Sequence, residues 1–156
     1  MIRGIHHTAI CTADLDRLVT FYREVVGFEV VNESEWTNNE LIDAIIGLKN
    51  SSARQVMMRA GNAYLEFFQY AAPQSRETGP MRPCDRGYTH ICLDVVDIVA
   101  EHKRLTEGGM TFNRTPGGFG DIRAVYGRDP DGNIVEIQET APTHVTDLTR
   151  LKVPMA

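Results

Sequence analysis

The chain states one pattern twice. His7-Thr8-Ala9-Ile10 stands seven residues before Asp14, and His90-Ile91-Cys92-Leu93 stands seven residues before Asp97. A helix-like run and a glycine stop follow each time, at Gly27 in the first copy and at Gly108-Gly109 in the second. Each copy then ends in a short apolar strand with a single glutamate: Tyr64-Leu65-Glu66-Phe67-Phe68 and Ile134-Val135-Glu136-Ile137. An internal repeat in a chain of 156 residues restricts the fold to two copies of one supersecondary unit. Each copy supplies a His and a Glu, so the repeat predicts a four-ligand metal site between the copies.

Local signals give each copy the order β-α-β-β-β. Residues 4–12 read as a strand, and the Asp14 carboxylate is placed to cap a helix over 15–26 with Leu15, Leu18, Val19, Tyr22 and Val25 at amphipathic spacing. Gly27 ends it, because glycine accepts the left-handed backbone that closes a helix. A strand begins at Phe28, a short helix is inserted over 38–48, and 53–60 with 63–70 form a hairpin turning at Gly61-Asn62. In the second copy a strand at 87–95 and a helix at 97–107 precede strands near 110–113, 122–128 and 133–139. Asp129-Pro130-Asp131-Gly132-Asn133 is the turn before the last of these. Residues 115–120 read as a mobile loop or lid.

The expected fold is α+β, with two paired βαβββ modules forming a curved mixed sheet around a metal-binding cleft. It is one domain over 1–156: module one about 4–71, a Pro-, Gly- and Arg-rich linker 72–86, module two about 87–139 and a tail 140–156.

Composition narrows the partners. A net charge of −5 and a pI near 5.5 argue against nucleic-acid and membrane-surface binding, both of which call for a basic footprint. No apolar run approaches the roughly 20 residues of a membrane helix. The first six residues contain no apolar signal core, and three cysteines without framework spacing fit a reducing compartment, so a cytoplasmic protein is expected. The expected partners are a small-molecule substrate and a second copy in a homodimer.

Side chains alternate across a strand, which sorts the candidates by face. Ile91, Leu93 and Val95 oppose His90, Cys92 and Asp94; Leu65 and Phe67 oppose Glu66, Phe68 and Tyr70; Val135 and Ile137 oppose Glu136 and Gln138. The aliphatic set suits a helix, and the His or Glu falls on the other face each time. Repeat alignment matches His90 with His7 rather than His6. Asp94 is expected at the rim, Cys11 and Cys92 as small buried fillers, Cys84 exposed, and His102 and His144 solvated.

Two imidazoles and two carboxylates make a neutral site for a divalent ion, and this mixed nitrogen and oxygen set suits Zn, Ni, Co, Mn or Fe without choosing among them. Two open positions on such an ion favour a substrate chelating through adjacent oxygens. The ion would act as a Lewis acid toward an enolate-like oxygen while a nearby carboxylate moves a proton.

At these residues the chain resembles the vicinal oxygen chelate superfamily, which includes glyoxalase I, methylmalonyl-CoA epimerase, extradiol dioxygenases and bleomycin resistance proteins. The resemblance runs over about 4–139. It rests on His7-Thr8-Ala9-Ile10, on Asp14-Leu15 through Phe21-Tyr22 to Gly27-Phe28, and on Leu65-Glu66. It continues in Gly87-Tyr88-Thr89-His90-Ile91 and in Asp129-Pro130-Asp131-Gly132-Asn133 leading to Glu136. It implies His7, Glu66, His90 and Glu136 as metal ligands, with Glu136 or Glu66 as the acid and base of a glyoxalase- or epimerase-like lyase or isomerase.

Two other activities belong to the same resemblance. An Fe(II) extradiol-type dioxygenase would not use Glu66 as a ligand. A metal-free binding or resistance protein would hold an aromatic compound against Trp36, Phe68, Tyr70 and Phe119. The insertion at 36–53 is longer than a minimal glyoxalase or epimerase implies. Glu33, Glu35 and Glu40 do not align with the second catalytic carboxylate of the epimerases.

Overall fold

The computed structural model describes residues 2–76 and 79–151. The chain divides into two compact units, residues 5–77 and residues 78–156 with the first four residues. The α+β class is as expected, with one mixed sheet in each unit.

Module one contains β1 (His7–Cys11), α1 (Leu15–Thr20), β2 (Glu29–Thr37), α2 (Glu40–Ile46), β3 (Ser52–Ala60) and β4 (Ala63–Ala72). Its sheet order is β1-β4-β3-β2, with β1 parallel to β4 and the other pairs antiparallel. Asp14 accepts from the Arg17 amide at 3.1 Å, the expected cap. The helix widens into a π-helical segment at Phe21–Val26 before Gly27 stops it at φ 93°. Leu15, Leu18, Phe21 and Tyr22 are buried together with Val56, Met58, Leu65 and Phe67, and α1 packs on β4. Each such side chain, fully buried, contributes about 1.5–3 kcal/mol through the hydrophobic effect.

The inserted α2 buries none of its residues. Asn39 caps its start by accepting from the Leu41 and Ile42 amides, and Gly47 closes it at φ 73°. A polar anchor holds it to the sheet. The Asp43 carboxylate accepts from the Ser51 amide at 3.0 Å and from the Ser51 hydroxyl, while the Trp36 indole donates to Ser51 Oγ at 2.8 Å.

Module two contains β5 (His90–Asp94), α3 (Ile98–Glu107), β6 (Thr111–Phe112), β7 (Gly117–Phe119), β8 (Ile122–Arg128) and β9 (Ile134–Thr140). Its sheet order is β5-β9-β8-β6, and β7 also pairs with β8. The stretch expected as a mobile loop therefore contains a short strand, Gly117 facing Ala124 and Phe119 facing Ile122. Ile98 and Leu105 of α3 are buried with Met110, Val125, Val135 and Ile137, and α3 packs on β9. Gly127 lets β6 lie close to β8: a Cβ there would sit 2.7 Å from the Phe112 ring and 2.8 Å from the Thr111 carbonyl oxygen. After β9 the tail forms turns and a 3-10 segment, Leu148–Arg150.

Candidate metal-binding face of each module

The parallel pairing of β1 with β4 sets Ala9 beside Glu66, and that of β5 with β9 sets Cys92 beside Glu136. The histidine two residues earlier on each first strand then reaches the glutamate on the same face. His7 Nε2 lies 3.3 Å from Glu66 Oε2, and His90 Nε2 lies 3.3 Å from Glu136 Oε2. The imidazoles are part-exposed, at 39% and 30%, and the carboxylates more enclosed, at 16% and 13%. His6 does not face Glu66; its ring stacks on Tyr64 at 5.0 Å.

The separation fits two neighbouring donors of one ion. With metal–ligand bonds of about 2.1 Å, donors at octahedral or tetrahedral angles lie about 3.0 or 3.4 Å apart. Each histidine also has its outer nitrogen engaged by the residue just before it. His7 Nδ1 is 2.9 Å from His6 Nδ1, and His90 Nδ1 is 2.9 Å from Thr89 Oγ1. Such a contact, with Nδ1–H donating, puts the ring's lone pair on Nε2, the atom that faces the glutamate. Sequence reasoning treated His6 only as a rival of His7. The equivalence of His6 and Thr89 in the repeat was the signal for this supporting role.

Among the described residues, no group of three or more His, Cys, Asp or Glu side chains gathers to hold an ion; each module presents one His–Glu pair, a candidate half site.

The surroundings differ between modules. In module one, Gln55 Nε2 donates to Glu66 Oε1 at 3.0 Å, and Ser34 Oγ donates to Gln55 Oε1 at 2.8 Å. Beyond them on the same face stand Trp36, Phe68 and Tyr70, their ring centroids about 6 Å apart. In module two, the Tyr126 ring lies tilted against His90 at 4.8 Å with its hydroxyl 3.4 Å from His90 Nε2. Burial, the Glu136 charge and Cys92 raise the Tyr126 phenol. Burial, then Cys11 and Glu66, raise that of Tyr70. Both stay protonated at neutral pH.

Several expectations need correction. Cys11 and Cys92 are not buried fillers; both are exposed on the donor face. Partial burial and the Glu136 carboxylate nevertheless push the Cys92 thiol up to about 12, so it remains a neutral neighbour of that carboxylate. His102 is not solvated: its ring lies tilted against Phe112 at 4.4 Å, with its Nε2 buried and unpartnered among the described residues. Asp94 is raised by burial and by Asp147, which places the tail near this end of the second face. Glu33 and Glu35 point their charge toward Arg54, and Ser34 takes the intervening place behind the donors. Gln55, Ser34 and Tyr126 were missed by sequence reasoning.

Comparison with known proteins places the chain in a family. The family model of the Glyoxalase/Bleomycin resistance protein/Dioxygenase superfamily matches residues 4–137. A 2-epi-5-epi-valiolone epimerase from Actinomyces sp. is 33% identical over 148 residues, covering 86% of this chain and 78% of the relative. A probable lactoylglutathione lyase from Synechocystis sp. is 26% identical, covering 86% of this chain and 94% of the relative. Among solved structures, a glyoxalase family protein from Bacillus cereus shares the fold with a TM-score of 0.79 at 21% identity, covering 90% of this chain and 95% of that one.

Proposed function

Since the chain belongs to the Glyoxalase/Bleomycin resistance protein/Dioxygenase superfamily, we propose that it is a divalent-metal-dependent lyase or isomerase that moves a proton on a substrate chelating through adjacent oxygens. The observation that carries this reading is the duplicated pair, a His Nε2 and a Glu Oε2 at 3.3 Å in both modules. His7, Glu66, His90 and Glu136 would together hold one ion, from the set Zn, Ni, Co, Mn and Fe. When bound, the ion supplies Lewis acidity toward a substrate oxygen.

The chain's own groups divide the remaining work. Glu66 is tied at Oε1 by the Gln55 amide, which suits a fixed ligand. Glu136 is bordered by His90 and Tyr126 and accepts a side-chain hydrogen bond from the Cys92 thiol, a weaker donor than an amide. We assign to Glu136 the role of taking a proton from the substrate carbon and returning it. Trp36, Phe68 and Tyr70 offer an apolar wall for the rest of the substrate, with water excluded along it. The epimerase and lyase names of the two relatives support proton-transfer chemistry.

The test combines metal analysis with isotope exchange. Purified protein should contain stoichiometric divalent metal, and His90→Ala should lower it at least tenfold. In D2O, 2-epi-5-epi-valiolone or lactoylglutathione should acquire deuterium at carbon in a metal-dependent way. Oxygen consumption with a catechol that requires iron, together with full metal loading in Glu66→Gln, would sink the proposal in favour of a dioxygenase.

A further inference from the structure

The repeat is exact in its donors and unequal behind them. Gln55 sits in register with Phe68, two residues beyond Glu66, and its side chain reaches back to Glu66 Oε1 at 3.0 Å. The matching place in module two, in register with Gln138 two residues beyond Glu136, is Ala124. A methyl group stands there, so Glu136 has no counterpart of the amide.

Chemistry fixes the direction of the contact. An ionised carboxylate only accepts hydrogen bonds, so Gln55 must turn its amide nitrogen to Glu66. Its carbonyl oxygen then points the other way and requires a donor, which Ser34 Oγ provides at 2.8 Å. Gln55 is only 5% exposed, so a flipped amide would leave a buried oxygen against a carboxylate. Ser34 lies on exposed β2 and acts as the latch.

We propose that Gln55 is a positioning residue for Glu66, oriented by Ser34, and that the pair reserves Oε1 so that Glu66 offers a divalent ion Oε2 alone. This rests on the metal-binding reading above. Oε2 is the oxygen that faces His7 Nε2 at 3.3 Å, so the relay points the free lone pair at the shared position. Glu66 is thereby a single-oxygen, non-migrating ligand. Groups that orient metal ligands in this way typically govern affinity by about 10- to 100-fold.

The experiment uses the full chain loaded with Co(II), whose visible absorption reports the number and arrangement of its ligands. Affinity is measured by competition with a chromophoric chelator, and folding by the fluorescence of Trp36, the chain's one tryptophan. Gln55→Ala and Gln55→Met should weaken Co(II) binding by about 10-fold or more and change the absorption bands, because Glu66 becomes free to bind through both oxygens. Ser34→Ala should weaken it by a smaller factor with a change of the same kind. Gln69→Ala provides the control, since that amide bonds the Leu15 amide and the Ala13 carbonyl and no carboxylate.

Wild-type affinity and an unchanged spectrum in the Gln55 variants would overturn the proposal while leaving the metal reading intact. A wild-type protein that takes up no Co(II) would overturn both. If the buried Gln55 variants fail to fold, Ser34→Ala decides: an unchanged spectrum and affinity there refutes the relay.

Discussion

At the scale of residues, a buried polar atom without a partner is a standing cost. Among the described residues, His102 presents such an atom, Nε2, while its ring lies tilted against Phe112. Leaving a buried group unsatisfied costs about 1–3 kcal/mol. His102→Leu keeps an apolar contact with Phe112 and removes that atom, so urea unfolding should show equal stability or a gain of about 1 kcal/mol. A loss of similar size would mean that the imidazole contributes something that leucine cannot.

The face shared by each His–Glu pair was legible in the sequence because strand alternation has a period of two. Parity and repeat alignment therefore put His7, Glu66, His90 and Glu136 on the faces where the structure has them. Gln55 and Ser34 were not legible, because their contact depends on the register between β2, β3 and β4. That register shifts between Val30 and Asn32 and again between Ser52 and Ala53. A single strand's periodicity does not encode its neighbour's offset. Cys11 and Cys92 were misjudged for a related reason: small apolar residues look like core filler until it is known which face is covered.

Elements depend on a few local contacts whose removal has a direction. The close approach of β6 to β8 requires glycine at position 127. Gly127→Ala should cost about 1–3 kcal/mol, the range for overpacking, measured by denaturant unfolding. The Phe112 ring and the Thr111 backbone cannot both yield cheaply.

The α2 anchor is sensitive to acid. Hydrogen bonding from the Ser51 hydroxyl holds the Asp43 carboxyl below the ordinary carboxylate range. A carboxyl depressed in the folded state adds stability above its unfolded value, near 3.9, and that stability is lost as pH falls through the folded value. Asp43→Asn should therefore be less stable than wild type at pH 7 and equal to it in strong acid. Trp36 fluorescence should report the difference, because its indole donates to Ser51.

For the whole molecule the decisive question is whether two half sites act as one. Each chain carries one pair of each kind. If all four residues hold a single ion, wild type binds one ion per chain. His7→Ala or His90→Ala alone then removes nearly all of it, and the double variant adds little further loss. Groups acting as a unit are non-additive in this way. Two independent half sites would instead lose about half of the metal with each substitution, and metal titration of the three variants separates the two outcomes.

The order of strands adds a kinetic consequence. The carboxylates stand on β4 and β9, each flanked by a strand on both sides of its own sheet, while the imidazoles stand on β1 and β5, the terminal strands. Terminal strands fray at lower free energy than central ones. An ion held by all four groups would therefore come free in an ordered way, with the rings swinging off alongside the fraying strands while the carboxylates keep their grip. The lifetime of the bound ion is then set by how often an outer strand opens.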